Sequence, residues 1–425
     1  MQPIRGTKDI LPNDIEIWQQ IYKIAYNTLN NYNYSEIRTP ILENTNLFER
    51  CIGNLTDIVN KEMYTFKDQG NRSITLRPEG TSSIARAVLS NKINLNNKMN
   101  RLWYLGPMFR YERPQKGRQR QFHQLGIECM GSEKSIADAE VIKIAYNILV
   151  QLKCDTQCHL EINSIGNIEE RELYKIELTE YLEKYVNELD EDSKKRIHKN
   201  PLRILDSKNK KTQQILTEAP LLHNYLGKLS KTHFENLCKQ LNYLDIKYKI
   251  NNYLVRGLDY YNYTAFEIKT NETNQQNTIC GGGRYDYLTH QLGGPKIPAV
   301  GWAIGIERLI TLTKYQIKTK IIYNTIYIAT DNLEKESIIW DVVSILETYN
   351  LRFELDFTDK NLSKKIKKAS QMGIYICIII SQRELDNNSV RIHWLKTGQK
   401  QIIPISNLQE YINYIKNFFQ LDSPF

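Results

Sequence analysis

The residues best suited to chemistry lie at 253–268, Tyr-Leu-Val-Arg-Gly-Leu-Asp-Tyr-Tyr-Asn-Tyr-Thr-Ala-Phe-Glu-Ile. Arg256 and Asp259 bracket a glycine turn, and Tyr260, Tyr261 and Tyr263 follow. A guanidinium grips a carboxylate or phosphate with a planar two-pronged fork. A tyrosine offers a ring face and a hydroxyl with few rotors to freeze. Together they suit a small zwitterion activated at a phosphate. The plainer reading is a tyrosine-rich turn between strands, since Tyr makes up 27 of the 425 residues. A second cluster, Cys154, Cys158 and His159, has the proximity of a metal site. Alternation over 158–162 reads as a strand, which sends Cys158 and His159 to opposite faces. No metal site is assigned there.

Such groups need a frame, and hydrophobic periodicity supplies one. After Pro12, apolar residues at Ile17, Ile21, Ile24, Ala25 and Leu29 predict a helix over 13–31. Segment 35–42 is strand-like with Pro40 inside it, which implies an edge or an interface. A short strand at 73–76 runs into Arg-Pro-Glu-Gly, and a helix follows at 81–90. Strands at 101–109 and 121–130 are joined by a charged loop, Arg110-Tyr-Glu-Arg-Pro-Gln-Lys-Gly-Arg-Gln-Arg120, and 137–152 is a helix. From 167 to 245 the chain is charged and helix-patterned, with Lys-rich turns, and reads as an inserted helical subdomain. The strand pattern returns at 246 and runs through 268. A glycine-rich turn, Cys280-Gly-Gly-Gly-Arg-Tyr-Asp286, opens a helix over 285–291, then a strand (298–305) and a helix (306–314).

Residues 318–323 read as a hinge. Beyond it, strands at 325–329, 352–356 and 373–380 alternate with helices at 333–349 and 361–370, before a last helix at 408–419. That alternation is the mark of a compact α/β domain with a mainly parallel sheet. The expected organisation is an α+β unit over 1–320, interrupted by the insertion at 167–245, and an α/β unit over 324–425.

Composition sets the bounds. Hydrophobic residues make up 41% and charged residues 25%, ordinary for a globular protein. The formal charge of +9 favours an anionic partner such as RNA. The longest apolar run, Ile374 to Ile380, is strand-sized and too short to span a membrane. The first residues carry neither a signal-peptide core nor an arginine-rich transit helix. Seven cysteines without framework spacing point to a reducing compartment. Abundant Asn, Lys, Ile and Tyr suggest an A/T-rich genome, hence an organelle or a reduced bacterium. The expected compartment is bacterial cytoplasm or plastid stroma.

Three segments resemble the motifs of class II aminoacyl-tRNA synthetases. Phe109-Arg-Tyr-Glu-Arg-Pro114, with Phe122-His-Gln-Leu-Gly-Ile-Glu128 beyond the loop, resembles motif 2. Ala299-Val-Gly-Trp-Ala-Ile-Gly-Ile-Glu-Arg308 resembles motif 3. Ile37-Arg-Thr-Pro-Ile-Leu-Glu43 resembles motif 1, which builds the dimer interface of that class. The segment at 253–268 and Gly281-Gly-Gly-Arg-Tyr-Asp286 are similar to the two signature peptides of histidyl-tRNA synthetases, and Leu76-Arg-Pro-Glu-Gly-Thr81 fits the same family. The resemblance runs from Arg5 to about residue 420. It implies an antiparallel class II sheet with flanking helices, and a C-terminal anticodon-binding domain.

The resemblance also implies roles. The substrates would be L-histidine, ATP with Mg2+, and tRNA(His), handled by a homodimer. A free α-carboxyl, with a pKa of about 3.3–3.7, is already ionised, so its attack on the α-phosphate requires no general base. The need is for fixed cations that overcome repulsion between two anions. Arg110 would hold the α-phosphate, Arg308 the γ-phosphate, and Arg256 both the substrate carboxylate and the α-phosphate. Glu112 and Arg113 would frame ATP. Glu128 and Tyr261 would take the two ring nitrogens of histidine, Glu79, Thr81 and Gln124 its ammonium, with Tyr260 and Tyr285 bordering the pocket. Gly281 to Gly283 would let the backbone approach the substrate. Gln115, Arg118 and Arg120 would meet the tRNA acceptor end, and His123 reads as positional.

In the C-terminal domain a basic helix with Lys364, Lys365, Lys367 and Lys368 is placed to lie along RNA. Arg391-Ile-His-Trp-Leu-Lys-Thr-Gly-Gln399 departs from the family pattern. Two other readings share the resemblance. One is the non-catalytic regulatory subunit that partners a short ATP phosphoribosyltransferase, and the other is a synthetase-derived RNA-binding factor. The presence of Glu79, Arg110, Arg256 and Arg308 together opposes both.

Overall fold

The computed structural model describes residues 1–54, 56–93, 99–115, 117–271, 277–314, 316, 324–331 and 337–421. The expected hinge at 318–323 lies outside them. The chain divides into two compact units, Met1–Ile317 and Lys318–Phe425.

The first unit is built on an eight-stranded sheet. Its order is Ser35–Glu36, Asn100–Phe109, Gln121–Met130, Ala299–Gly305, Thr278–Arg284, Asn262–Thr270, Cys158–Ser164 and Tyr248–Ile250. The six inner strands are antiparallel, whereas both edge strands join in parallel, so the sheet is mixed. Strands Asn100–Phe109 and Gln121–Met130 pair over all ten residues. One face carries the helices Pro12–Asn31, Ser135–Gln151 and Lys228–Tyr243, with Trp18, Ile21, Ile142, Leu149 and Leu237 in the core between. The other face packs Phe48, Ile84, Tyr104, Tyr261 and Tyr285 into a second core, beside helices Thr45–Ile52 and Thr81–Ser90. Alternation along each strand sends neighbours to opposite cores, as with Trp103 and Tyr104.

Three local expectations change. The run at 35–42 is not one strand. It breaks into Ser35–Glu36 and Leu42–Asn44, and the latter joins a separate three-stranded sheet with Ser73–Leu76 and Tyr64–Lys67. Pro40 lacks an N–H for a ladder and restricts the residue before it. The run at 246–268 also breaks: the segment between Tyr248–Ile250 and Asn262–Thr270 is a loop, and it carries Arg256. The triple glycine is a central strand, not a turn, with Gly281, Gly282 and Gly283 paired to both neighbouring strands. Glycine inside a strand marks a close approach by something else. Here a Cβ on Gly282 would stand 2.3 Å from the Gly301 carbonyl, and one on Gly281 would stand 2.2 Å from the Arg256 guanidinium.

Segment 167–245 holds the helices Ile168–Glu183, Glu191–Arg196, Lys210–Leu216 and Lys228–Tyr243. Asn167 and Glu170 form a reciprocal capping box at its start. The last of these helices buries Phe234, Leu237 and Leu241 in the core it shares with Ser135–Gln151. The end of the segment is therefore woven into the main sheet unit.

The second unit has a five-stranded sheet in the order Arg352–Leu355, Thr325–Thr330, Ile376–Ile380, Ser389–Trp394, Lys400–Pro404. The first three strands are parallel and the last two antiparallel. The hairpin was not expected from the sequence, though Ser-Val-Arg-Ile-His-Trp alternates, with Val390 and Ile392 fully buried. Of the four lysines expected to face RNA, Lys365 is buried and donates to the Thr330 carbonyl at 2.8 Å. Lys368 pairs with Glu354 at 3.5 Å, while Lys364 and Lys367 stay exposed.

Candidate active site

Three elements deliver the arginines. Arg110 follows the strand Asn100–Phe109, Arg308 lies in the first turn of helix Ile306–Thr313, and Arg256 occupies the loop before Asn262–Thr270. All three line one cavity of about 190 Å³, together with Arg118. Glu79, Thr81, Glu112, Gln124, Tyr260 and Tyr261 line the same cavity. These ten expected residues are spread over nearly 230 positions of sequence, and the sheet brings them to one place.

The charges are held differently. Arg256 forms an ion pair with Glu267, the residue opposite Gly281 on the neighbouring strand, and lies 5.7 Å from the Tyr261 ring centre. Burial pulls its pKa down, but Glu267 and the tyrosines outweigh that and hold it up. Arg308 donates to the carbonyls of Gly117 (3.0 Å) and Thr278 (2.7 Å). Arg110 donates to the Pro78 carbonyl at 2.9 Å and stacks over Phe122 at 5.3 Å. It has no ion pair among the described residues, which leaves its charge for a ligand. Arg118 pairs with Glu112 at 2.8 Å.

Glu79 is spoken for in part. Its two oxygens accept from the Thr81 and Ser82 N–H groups at 2.7 and 2.8 Å, capping helix Thr81–Ser90 from within the turn before it. Thr81 in turn donates to Glu128 at 2.7 Å, and Tyr285 donates to the other Glu128 oxygen. Glu128 is 1% exposed, and burial pushes its carboxyl up to about 8. Glu128 and Tyr285 are not part of the cavity lining; they stand directly behind Thr81. Tyr285 is locked from its backbone side as well, because Arg284 and Asp286 flank it in a buried ion cluster with Asp138.

Some expected contacts fall elsewhere. Gln115 bridges Arg118 through backbone hydrogen bonds of 3.2 and 2.8 Å, closing the motif 2 loop, and does not line the cavity. Arg120 stacks over Tyr111 at 4.0 Å and packs on Gly6, so it serves the loop's attachment. Arg113 is not in the lining either. His123 bonds Glu307 through its backbone N–H (3.0 Å) and through Nδ1 (2.9 Å), and packs edge-on against Trp18.

Tyr104 carries no motif or spacing that marks it as a site residue. Its ring is seated between Gly80 and Gly126, where a Cβ would stand 2.4 and 2.3 Å from the ring carbon that bears the hydroxyl. Its hydroxyl, the Gln124 Oε1 and the Arg256 Nε are buried with no protein partner, and all three residues line the cavity. Buried polar atoms without partners are rare, and a polar ligand offering both donors and acceptors would satisfy these three.

An antiparallel inner sheet with a motif 2 loop, a motif 3 arginine and a cation-lined cavity defines a class II aminoacyl-tRNA synthetase fold. Comparison with known proteins narrows this. A family model for histidyl-tRNA synthetase matches residues 6–309, and one for an anticodon-binding domain matches 325–415. A chloroplastic histidine–tRNA ligase from Gracilaria tenuistipitata var. liui is 57% identical over 98% of this chain and 99% of its own length. A histidine–tRNA ligase from Cyanothece sp. (strain PCC 7425) is 47% identical over 98% and 97%. The crystal structure of apo histidyl-tRNA synthetase from S. aureus superposes with a TM-score of 0.81 at 34% identity, covering 98% of this chain and all of that one. The chain belongs to the histidyl-tRNA synthetase family.

Proposed function

We propose that the protein joins L-histidine to ATP at this cavity and passes the histidyl group to tRNA(His), releasing AMP and diphosphate. The observation that carries this reading is the convergence of Arg110, Arg256 and Arg308 on a cavity that also presents unpartnered Tyr104, Gln124 and Arg256 atoms.

In the first step a substrate carboxylate oxygen bonds to the α-phosphorus, and the bond to the β-phosphate oxygen breaks. Both reactants are anions, so the barrier falls when cations are already in place. Arg256 and Arg110 supply that charge at the α-phosphate, and Arg308 holds the γ end. Magnesium enters on ATP as part of the substrate. Of the cavity carboxylates, Glu112 and Glu307 are engaged by Arg118 and His123 and Glu79 by the Thr81 and Ser82 N–H groups, so the ATP phosphates would supply most of its oxygen ligands. The remaining oxygen capacity of Glu79 takes the ammonium, and the ring lies against Tyr261, with Glu128 aligning the Thr81 hydroxyl from behind instead of meeting the ring itself.

A homodimer through the motif 1 region is part of the proposal. Ile41, Leu42 and Phe66 on and beside the small sheet are 40, 52 and 46% exposed, an apolar group suited to a second copy. The chloroplastic and cyanobacterial relatives favour a plastid or bacterial compartment, and no helix among the described residues is long and apolar enough to cross a membrane. The regulatory-subunit reading is disfavoured by the intact arginine set and by the names of the full-length relatives. The role of Arg256 is tested by Arg256→Ala. Histidine-dependent ATP–pyrophosphate exchange should fall by at least ~10³-fold with the fold intact; near-wild-type exchange removes Arg256 from the mechanism.

A further inference from the structure

The loop that carries Arg256 joins no sheet between Ile250 and Asn262. Past Leu254, the one backbone hydrogen bond among the described residues that ties it to another element before Asn262 runs from the Asp259 N–H to the Ile52 carbonyl, at 3.2 Å. Yet its inner side supplies Arg256, Leu258, Tyr260 and Tyr261 to the cavity. Two side chains from the helical segment 167–245 supply what the backbone lacks. Arg203, in the turn Pro201–Ile204, donates to the Gly257 carbonyl. Arg171, on helix Ile168–Glu183, donates to the Tyr261 carbonyl. Asn200 adds a contact to Asp259 at 3.4 Å.

These arginines are unusual in their setting. Burial lowers the pKa of both against the opposing charge of Asp259 on the loop, and among the described residues neither comes within ion-pair distance of a carboxylate. A desolvated guanidinium spent on a backbone carbonyl is costly unless that carbonyl must be fixed. The two carbonyls they fix directly follow Arg256 and belong to Tyr261, the residues proposed to serve the reaction and the choice of amino acid.

We infer that the helical segment 167–245 acts as a clamp on the active-site loop, with Arg203 and Arg171 as positioning residues that set the placement of Arg256 and Tyr261. The segment thereby has a task in amino-acid activation, separate from any contact with RNA. The roles of Arg256 and Tyr261 rest on the function proposed above, but the clamp itself does not, and the test separates the two.

The test is Arg203→Ala in the full-length protein, beside Arg203→Lys, which keeps a cationic donor but not the planar fork. Hydrogen–deuterium exchange read by mass spectrometry should rise at least tenfold in the peptide covering 253–262 and stay unchanged in the sheet strands. Pyrophosphate exchange should show kcat lowered at least tenfold and histidine KM raised, with ATP KM within twofold, and Arg203→Lys should recover part of both. Arg171→Met repeats the experiment at the other contact, should either variant fail to fold. Unchanged deuterium uptake at 253–262 overturns the clamp, as does uptake that rises throughout the protein. If the wild type shows no histidine-dependent exchange, the proposed function fails while the deuterium result still judges the clamp.

Discussion

Gly281→Ala is a small change with a large expected effect. The new Cβ would stand 2.2 Å from one terminal nitrogen of Arg256 and 2.7 Å from its Cζ. Ordinary contact is about 3.5 Å, so the guanidinium must retreat by more than ~1 Å. Glu267 sits opposite Gly281 on the ladder and pairs with the same guanidinium, so the methyl group enters at that ion pair. A shift of about 1 Å in a positioned group costs roughly 10²-fold in rate, or about 2.7 kcal/mol of barrier. The displaced atoms are the end of a flexible side chain, so the melting temperature should move by only a few degrees. The assay is histidine-dependent ATP–pyrophosphate exchange with a thermal melt on the same sample. Exchange within threefold of wild type, with the melt unchanged, would refute the claim that Arg256 must occupy its observed place.

Two further outcomes follow from the same geometry. Glu128, held up at about 8 by burial, accepts the Thr81 hydroxyl more strongly once ionised and so fixes Thr81 at the cavity wall, and histidine KM should fall as pH rises from 6 to 8. Stability runs the other way: the folded pKa exceeds the unfolded value of about 4.3, so the contribution is full below that value and lost as pH rises through about 8. Glu128→Gln should flatten both slopes, and an unaltered KM profile in that variant would exclude Glu128 from the placement of Thr81. In the C-terminal unit, joint Lys364→Glu and Lys367→Glu substitution should raise the KM for tRNA and leave pyrophosphate exchange alone. Lys365→Met should instead lower stability, by about 1–3 kcal/mol for the orphaned carbonyl, as read by denaturant unfolding.

Much of the site was legible because its residues sit in contiguous motifs. Arg110, Arg256, Arg308, Glu79 and Gln124 all reach the cavity. What was not legible depends on contacts between distant segments. Nothing in Gly80 and Gly126 announces that Tyr104 lies between them, or in Gly281 that Arg256 leans on it. Three glycines in a row read locally as a turn, but two flanking strands and a guanidinium turn them into a close-packed strand. Likewise a lysine-rich helix reads as one basic face, until burial assigns Lys365 to a carbonyl. The arginines of 167–245 belong to a highly charged stretch, and only the fold shows that two of them turn inward.

Pyrophosphate exchange with each of the twenty amino acids in turn decides whether this cavity activates histidine. Histidine alone should support exchange above background, and Arg256→Ala should abolish it. Exchange driven by a different amino acid, or by none, would rule out histidine activation by this protein.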